Sequence, residues 1–415
     1  LRPLPNEQRI SSGIPVYRNI SHFANLTPLR FLAAWLVVLF HVEETRKMFG
    51  AANLTHFSLF THGPLAVTFF FVLSGFLITY LLLREWEHAG QIDVPRFYVR
   101  RILRIWPLYL LMVFTGLVVI PAAAKLGRVP YESPYNPWQV APYFLLFVPF
   151  VVNLMHGNHF LTPLWSIGVE EMYYLSWAPL VKWFRKHLVK IMLGTVLIKV
   201  TLALWFDRYW QNAVAQEVLR MLQFEAMAIG GLAAYLVFHR DQPLHSSWLF
   251  SRPTQVLFIL PLVTLLIAHR AVADAVPLYA ALFDHHLLTP WLMMCLFGWF
   301  IANAAVNEHS ILRLNWPLWN YLGDISYGIY MYHALAISLL YVPLIEEYRA
   351  VPFWAETLLV HAGVAAATLL FAGLSKRFFE NRFLRYKARF EPLRTGLSTS
   401  PLRSVADKGR QNLAA

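Results

Sequence analysis

Apolar runs of roughly 16–21 residues, separated by short polar stretches, recur from near the N-terminus to about residue 375, close to the length a helix needs to cross a bilayer. They predict spans at 27–42, 64–83, 103–120, 163–181, 189–206, 219–238, 254–269, 288–306, 325–345 and 357–375. The links between them alternate in basicity. Segment 84–104 carries Arg84, Arg96, Arg100, Arg101 and Arg104, and segment 182–190 carries Lys182, Arg185, Lys186 and Lys190. Segment 239–252 is modestly basic, and the stretch from Lys376 holds Arg377, Arg382, Arg385, Lys387 and Arg389 as well. The intervening loops 43–62, 121–140, 207–218, 270–287 and 346–356 are less basic. Ten spans with both termini cytoplasmic satisfy the excess of positive charge that cytoplasmic loops carry.

One apolar stretch breaks the alternation. Residues 142–155 are too short to span and are interrupted by Pro142, Pro149 and Asn153. Counting them as a span would move 182–190 to the outside. The pattern predicts a re-entrant or interfacial segment on the extracytoplasmic side, where protein or water satisfies its backbone. The expected fold is therefore all-α: a polytopic membrane bundle of about ten transmembrane helices plus that segment. It divides into an N-terminal cytoplasmic segment 1–24, a membrane domain 25–385 and a basic tail 386–415. Residues 393–415, rich in Ser, Arg, Gly and Pro, are expected to be disordered. Residues 1–21 are polar and contain proline, with no cleavable signal pattern.

Composition sharpens this. The chain has 415 residues, 58% hydrophobic and 14% charged, whereas soluble domains carry about 25% charged residues. A single cysteine, Cys295, excludes a disulfide framework, an iron–sulfur cluster and a Cys-based zinc site within one chain. Inside the apolar run 291–301 it is expected to be a small buried hydrophobe. The net charge of +12 would suggest nucleic acid for a soluble protein. Here the basic residues cluster beside apolar runs, so membrane topology explains them first, and binding of an anionic cofactor at one such cluster second.

Five motifs carry candidate chemistry. Arg30 and His41 lie in and at the edge of the first apolar run, where a charge near the midplane costs about 2.5–3.5 kcal/mol. Eleven helical positions turn the chain by about 1,100°, so the two share one face about 16 Å apart. They are either a snorkelling anchor and an interface histidine, or a general base or nucleophile (His41) with Arg30 stabilising an anion. In FFFVLSGFLIT (69–79), Ser74 and Gly75 are small residues that suit close helix packing. In RRILRIWPLY (100–109), Arg101 and Arg104 share one side of a helical turn, either as a topological anchor or as a phosphate fork. In LWSIGVEEMYYL (164–175), Ser166 and Glu170 share a face, so Glu170 either suits the helix dipole or orients a sugar hydroxyl or supports the histidine. In SYGIYMYH (326–333), Tyr327, Tyr330 and His333 form a polar stripe that suits a bundle interior or water-filled cavity. No metal site is indicated: the sixteen histidines are scattered, and His285-His286 lack a second ligand pair.

In this order the five motifs resemble the acyltransferase-3 family of integral membrane O-acyltransferases, over about residues 25–385. The family closes with Glu-x-Pro, whereas this chain has Glu380-Asn381-Arg382. The resemblance implies an enzyme of the cell (inner) membrane that moves an acyl group, most often acetyl, from acyl-CoA to a hydroxyl. It implies no tightly bound cofactor, with acyl-CoA as co-substrate. Expected partners are the bilayer, a cell-envelope carbohydrate or glycolipid acceptor and, as an option, a second copy of the chain; nucleic acid is not expected. His41, Arg30 and Glu170 would be catalytic, Arg100, Arg101 and Arg104 would hold the CoA, and Ser166, Tyr327, Tyr330 and His333 would line the acceptor site. Two alternatives remain at this point: a transporter or flippase of an envelope glycolipid, and acylation of a small secondary metabolite.

Overall fold

The computed structural model describes residues 16–127, 133–285 and 288–390. The expectations for 1–15 and for the tail beyond 390 lie outside the described residues. The described elements are helical, in the order α1 (Leu26–Met48), α2 (Gly63–Ala89), α3 (Val94–Phe114), α4 (Pro137–Leu145), α5 (Phe150–His156), α6 (Leu164–Phe184), α7 (Leu188–Tyr209), α8 (Ala213–Met221) and α9 (Phe224–Phe238), followed by α10 (Arg252–Ala275), α11 (Leu288–Val306), α12 (Pro317–Asp324), α13 (Ser326–Leu340) and α14 (Phe353–Ser375). Nine helical stretches among the described residues are long and apolar enough to cross a membrane. One of them, Leu164–Tyr209, has 46 residues and is broken by a 3₁₀ turn at Arg185–His187, so it covers two of the ten expected spans. Leu197, Ile198, Leu257, Ile267, Leu358 and Leu370 face outward, as lipid-facing side chains of a multi-pass membrane protein do.

Local sequence fixes the ends. The α2 helix starts with Pro64 in its first turn and stops at Gly90, whose φ of 68° gives the left-handed cap. The Asp93 side chain caps α3 by accepting from the Arg96 N–H at 3.0 Å. Beyond Phe114, α3 continues through a π-turn at Thr115–Val119 into Ile120–Lys125. The break between α8 and α9 frees carbonyls inside the bundle. Lys199 of α7 donates to two of them, Leu219 and Leu222, and lies 3.1 Å from the Glu225 carboxylate.

The α2 helix sits at the centre, packed on α1, α6, α9 and α11. Its crossing with α9 brings backbone against backbone. A Cβ at Gly75 would overlap the Met227 carbonyl, and one at Gly230 would overlap the Val72 carbonyl. Segment 142–155 forms two short helices, α4 and α5, joined at Phe147 with φ 59°. Neither is long enough to cross. Phe147 folds back onto α3, its ring centroid 4.5 Å from Tyr109 and 4.8 Å from Trp106, while Trp138 is exposed.

Two expectations are corrected. Cys295 is exposed on α11 rather than buried; in a lipid-facing position a thiol needs no packed pocket. The first span does not end at 42. The α1 helix runs on to Met48 and buries Glu43 and Arg46 completely. Those charges are tolerated because they are paired. Arg46 lies 2.9 Å from Glu43 and 3.2 Å from Glu356, donates to Thr357 at 3.0 Å and sits over the Phe353 ring at 5.5 Å. His361 approaches Glu43 at 3.2 Å, and the other Glu43 oxygen accepts from the Leu54 N–H. This cluster ties α1 to α14 at the end of α1 opposite Arg30.

Candidate functional site

A cavity of about 110 Å³ opens between α1, α2, α3, α6 and α13, lined by Arg30, Ser74, Arg101, Arg104, Ser166, Glu170, Tyr174, Ser326, Tyr327 and Tyr330, with Phe70, Phe71 and other apolar residues between them. Helical spacing places these groups. Ser166, Glu170 and Tyr174 lie four apart and form one stripe down α6; Arg101 and Arg104 lie three apart on α3, and Tyr327 and Tyr330 three apart on α13.

Glu170 is held from two sides, accepting from the Ser74 hydroxyl at 2.7 Å and the Tyr174 hydroxyl at 2.9 Å. Tyr330 donates to the Pro163 carbonyl at 2.8 Å, which leaves its oxygen to accept from Ser166 at 2.7 Å. Tyr327 donates to the Ile105 carbonyl at 2.9 Å. The Arg101 guanidinium lies over the rings of Phe97 and Tyr174, at 5.4 and 5.7 Å, and its Nε is buried without a hydrogen-bond partner. Among the described residues, Arg30, Arg101 and Arg104 form no ion pair. Three guanidiniums, always charged, thus face one carboxylate that two hydroxyls already occupy. The balance is that of a site for an anion with several oxygens.

The α6 end of the cavity rests on the turn that follows α5. There the His159 Nδ1 accepts from the Leu161 N–H at 3.1 Å, and Thr162 takes the His159 N–H at 2.7 Å. Burial, with His156 adding to it, pushes the His159 imidazole down to about 4. A neutral ring is what an accepting Nδ1 requires.

His41 and His333 do not line the cavity. They form a pair one turn of α13 beyond Tyr330, with ring centroids 4.9 Å apart. The Nδ1 of His41 is 2.9 Å from the Val37 carbonyl and that of His333 is 2.5 Å from the Tyr330 carbonyl. A carbonyl only accepts, so both Nδ1 atoms carry hydrogen and each neutral ring keeps its Nε2 lone pair free. His333 is fully buried and its Nε2 has no partner, whereas His41 is part-exposed. Of the residues singled out by sequence, the structure therefore brings Arg30, Arg101, Arg104, Ser166, Glu170, Tyr327 and Tyr330 together. It sets His41 and His333 beside each other outside the cavity lining and leaves Arg100 out. Arg100 pairs with Glu85 at 2.6 Å and donates to the Phe390 carbonyl at 2.7 Å. Sequence reasoning favoured packing over chemistry for Ser74 and missed Tyr174. Their signal was a lone hydroxyl in the apolar run of α2 and a tyrosine one turn beyond Glu170.

Residues 23–374 match the family model described as "Acyltransferase domain". The chain is 26% identical over 385 residues to the peptidoglycan O-acetyltransferase OatA of Listeria monocytogenes, covering 88% of this chain and 57% of that one. It is 24% identical over 396 residues to a putative O-acetyltransferase of Staphylococcus aureus, covering 90% of this chain and 59% of that one. A putative peptidoglycan O-acetyltransferase of Bacillus subtilis, YrhL, is 29% identical over 163 residues, or 38% of this chain and 23% of that one. The chain thus spans under two thirds of the length of the first two relatives. No solved structure matches it. With the family model covering most of its length and the motifs meeting around one intramembrane cavity, the chain belongs to the acyltransferase-3 family of membrane acyltransferases.

Proposed function

We propose that this protein moves an acyl group, acetyl first, from acyl-CoA to a hydroxyl of a cell-envelope carbohydrate. One observation carries the reading: Arg30, Arg101 and Arg104 converge on an intramembrane cavity without ion-pair partners. A CoA thioester supplies the missing phosphate oxygens, and its acyl-pantetheine arm suits the apolar walls. The names of the relatives make peptidoglycan the first acceptor to test. In this reading the end of the bundle that bears Arg30, Arg104 and the basic links is cytoplasmic, as donor access demands, and both termini lie on that side of the inner membrane.

Along this path His41 takes one of two roles. As general base, its Nε2 removes the proton from the acceptor hydroxyl. The oxygen then forms the ester bond as the C–S bond breaks, and the proton passes to the departing thiolate. As nucleophile, the same Nε2 lone pair takes the acyl group and releases CoA, and the acceptor then resolves the acyl-imidazole. Both routes need the Nδ1–H held on Val37. Glu170, fixed by Ser74 and Tyr174, accepts a hydrogen bond from the acceptor or donor inside the cavity, and Arg30 stabilises the developing oxyanion. Ser166, Tyr327 and Tyr330 orient the acceptor, and His333 backs His41.

The test is steady-state kinetics of the purified protein with acetyl-CoA. Arg101→Gln and Arg104→Gln are each expected to raise KM for acetyl-CoA about tenfold or more, with a smaller change in kcat, since a charge-assisted contact contributes about 1.5–3 kcal/mol. An unchanged KM in both variants would remove the phosphate-binding role. Movement of a glycolipid across proteoliposomes without release of CoA would favour the transporter reading instead.

A further inference from the structure

We infer that His159 and Asn153, held by the turn that follows α5, form a subsite for the hydroxyl groups of the carbohydrate acceptor. The inference deepens the acceptor reading above and rests on it. Sequence alone gives these residues no such role: Asn153 only interrupts an apolar stretch, and His159 is one of sixteen scattered histidines. In the structure both are anchored to Thr162. The Asn153 side-chain amide donates to the Thr162 carbonyl at 3.2 Å, and the Thr162 hydroxyl accepts the His159 N–H at 2.7 Å. The same turn leads into α6, and its Pro163 carbonyl holds Tyr330, which lines the cavity. A smaller gap of about 10 Å³, bounded by Leu161, Pro163, Leu164 and Tyr330 among others, lies between the turn and α13. The turn therefore borders the Ser166–Tyr330 end of the cavity, where the proposed reading places the acceptor.

Hydrogen-bond polarity fixes what each group still lacks. The His159 Nδ1 accepts from the Leu161 N–H at 3.1 Å and faces the Tyr135 hydroxyl at 3.4 Å, so the neutral ring carries its proton on Nε2. Among the described residues that Nε2 is buried and has no partner. A carbonyl only accepts, so the Asn153 atom that faces Thr162 is the amide nitrogen, and Oδ1 is left over. It too is buried and meets no donor among the described residues. One donor and one acceptor thus remain at a single turn, although buried polar groups are nearly always paired. The combination argues against a simple ion: a carboxylate or phosphate would suit His159 and not Asn153, and an ammonium the reverse. A hydroxyl both accepts and donates, so the hydroxyls of a sugar serve both groups. The rings around His159 agree. Tyr135 and Phe144 lie edge-on to it, with centroids 5.0 and 6.3 Å away, and rings of this kind suit the apolar faces of a sugar. Gly157 and Asn158 are exposed and His159 is half-buried, so the turn lies at the surface of the bundle.

The experiment measures acetyl transfer from acetyl-CoA to peptidoglycan fragments by the purified protein, varying each substrate in turn. Two variants separate the ring nitrogens. His159→Asn keeps an acceptor where Nδ1 stands and removes the Nε2–H, and His159→Gln does the reverse. His159→Asn is expected to raise KM for the fragments about fivefold or more, the loss of one hydrogen bond, with KM for acetyl-CoA within about twofold of wild type. His159→Gln is expected to keep both KM values within about twofold, because the donor to the acceptor remains. An unchanged KM for the fragments in His159→Asn overturns the inference, and is the result if the leftover pair is bridged by water alone. A rise in His159→Gln as large as in His159→Asn, or an equal rise for both substrates, also overturns it, since either marks a structural role. Should His159→Asn fail to fold, Asn153→Leu decides by the same readout: a rise in KM for the fragments alone supports the inference, and its absence overturns it. If the wild-type protein transfers no acetyl group to the fragments, the peptidoglycan reading fails. If it does, and His159→Asn matches it, only this inference fails.

Discussion

Single residues carry most of the meaning here, and neighbours in sequence part company in space. Ser74 and Gly75 are adjacent, yet Ser74 donates to Glu170 in the cavity while Gly75 meets the Met227 backbone on another face of the helix. The motif as a whole suggested packing, which is right for the glycine and incomplete for the serine. Glu170 and Glu171 divide in the same way. Glu170 lines the cavity, and Glu171 accepts from the Trp106 indole at 3.0 Å outside it. Arg46 was illegible because the apolar run ends before it; the partners Glu43, Glu356 and Thr357 together make its burial tolerable. Removing one member of such a buried charge group leaves the others unpaired. Arg46→Ala is therefore expected to cost about 3–5 kcal/mol, read as a lowered unfolding temperature in detergent. An unchanged midpoint would show that the cluster is hydrated and adds little.

Elements were easier to read than residues. Among the described residues, nine helical stretches of membrane-crossing length agree with ten expected spans once the 3₁₀ turn at Arg185–His187 is recognised as a division. The run-length signal is strong because a bilayer demands internal backbone bonding over a fixed thickness. The two prolines in 142–155 correctly argued against a further span. What run length could not show is which faces meet. The stripes on α3, α6 and α13 were visible by spacing, but their convergence depends on how closely α9 lets α2 approach. Gly75→Ala tests that contact. Its methyl would push on a main-chain carbonyl rather than on a flexible side chain, and overpacking of this kind costs about 1–3 kcal/mol. The expected result is a less stable protein with a reduced yield of folded material, whereas wild-type stability would mean that α2 and α9 slide apart without penalty.

At the scale of the whole molecule, the site is a column along the bundle. Arg104 and Arg30 stand near one end, Glu170 with Ser74 and Tyr174 comes next, and Ser166 with Tyr330 follows. The His41–His333 pair lies beyond them, and the Glu43–Arg46–Glu356 cluster closes the far end. In the proposed reading, donor charge and acceptor chemistry occupy different depths of one path, with His41 beside it. The pair Arg30 and His41 was legible from an eleven-residue spacing on one helix. The cavity beside Arg30 was not, because α6 and α13, far along the chain, must close it against α1, α2 and α3. The most direct measurement is acetyl transfer from radiolabelled acetyl-CoA to peptidoglycan fragments by purified wild-type protein and His41→Ala. The account predicts transfer by the wild type and a loss of about 100-fold or more in the variant, with acetyl-CoA binding retained. Near wild-type transfer by His41→Ala would contradict it.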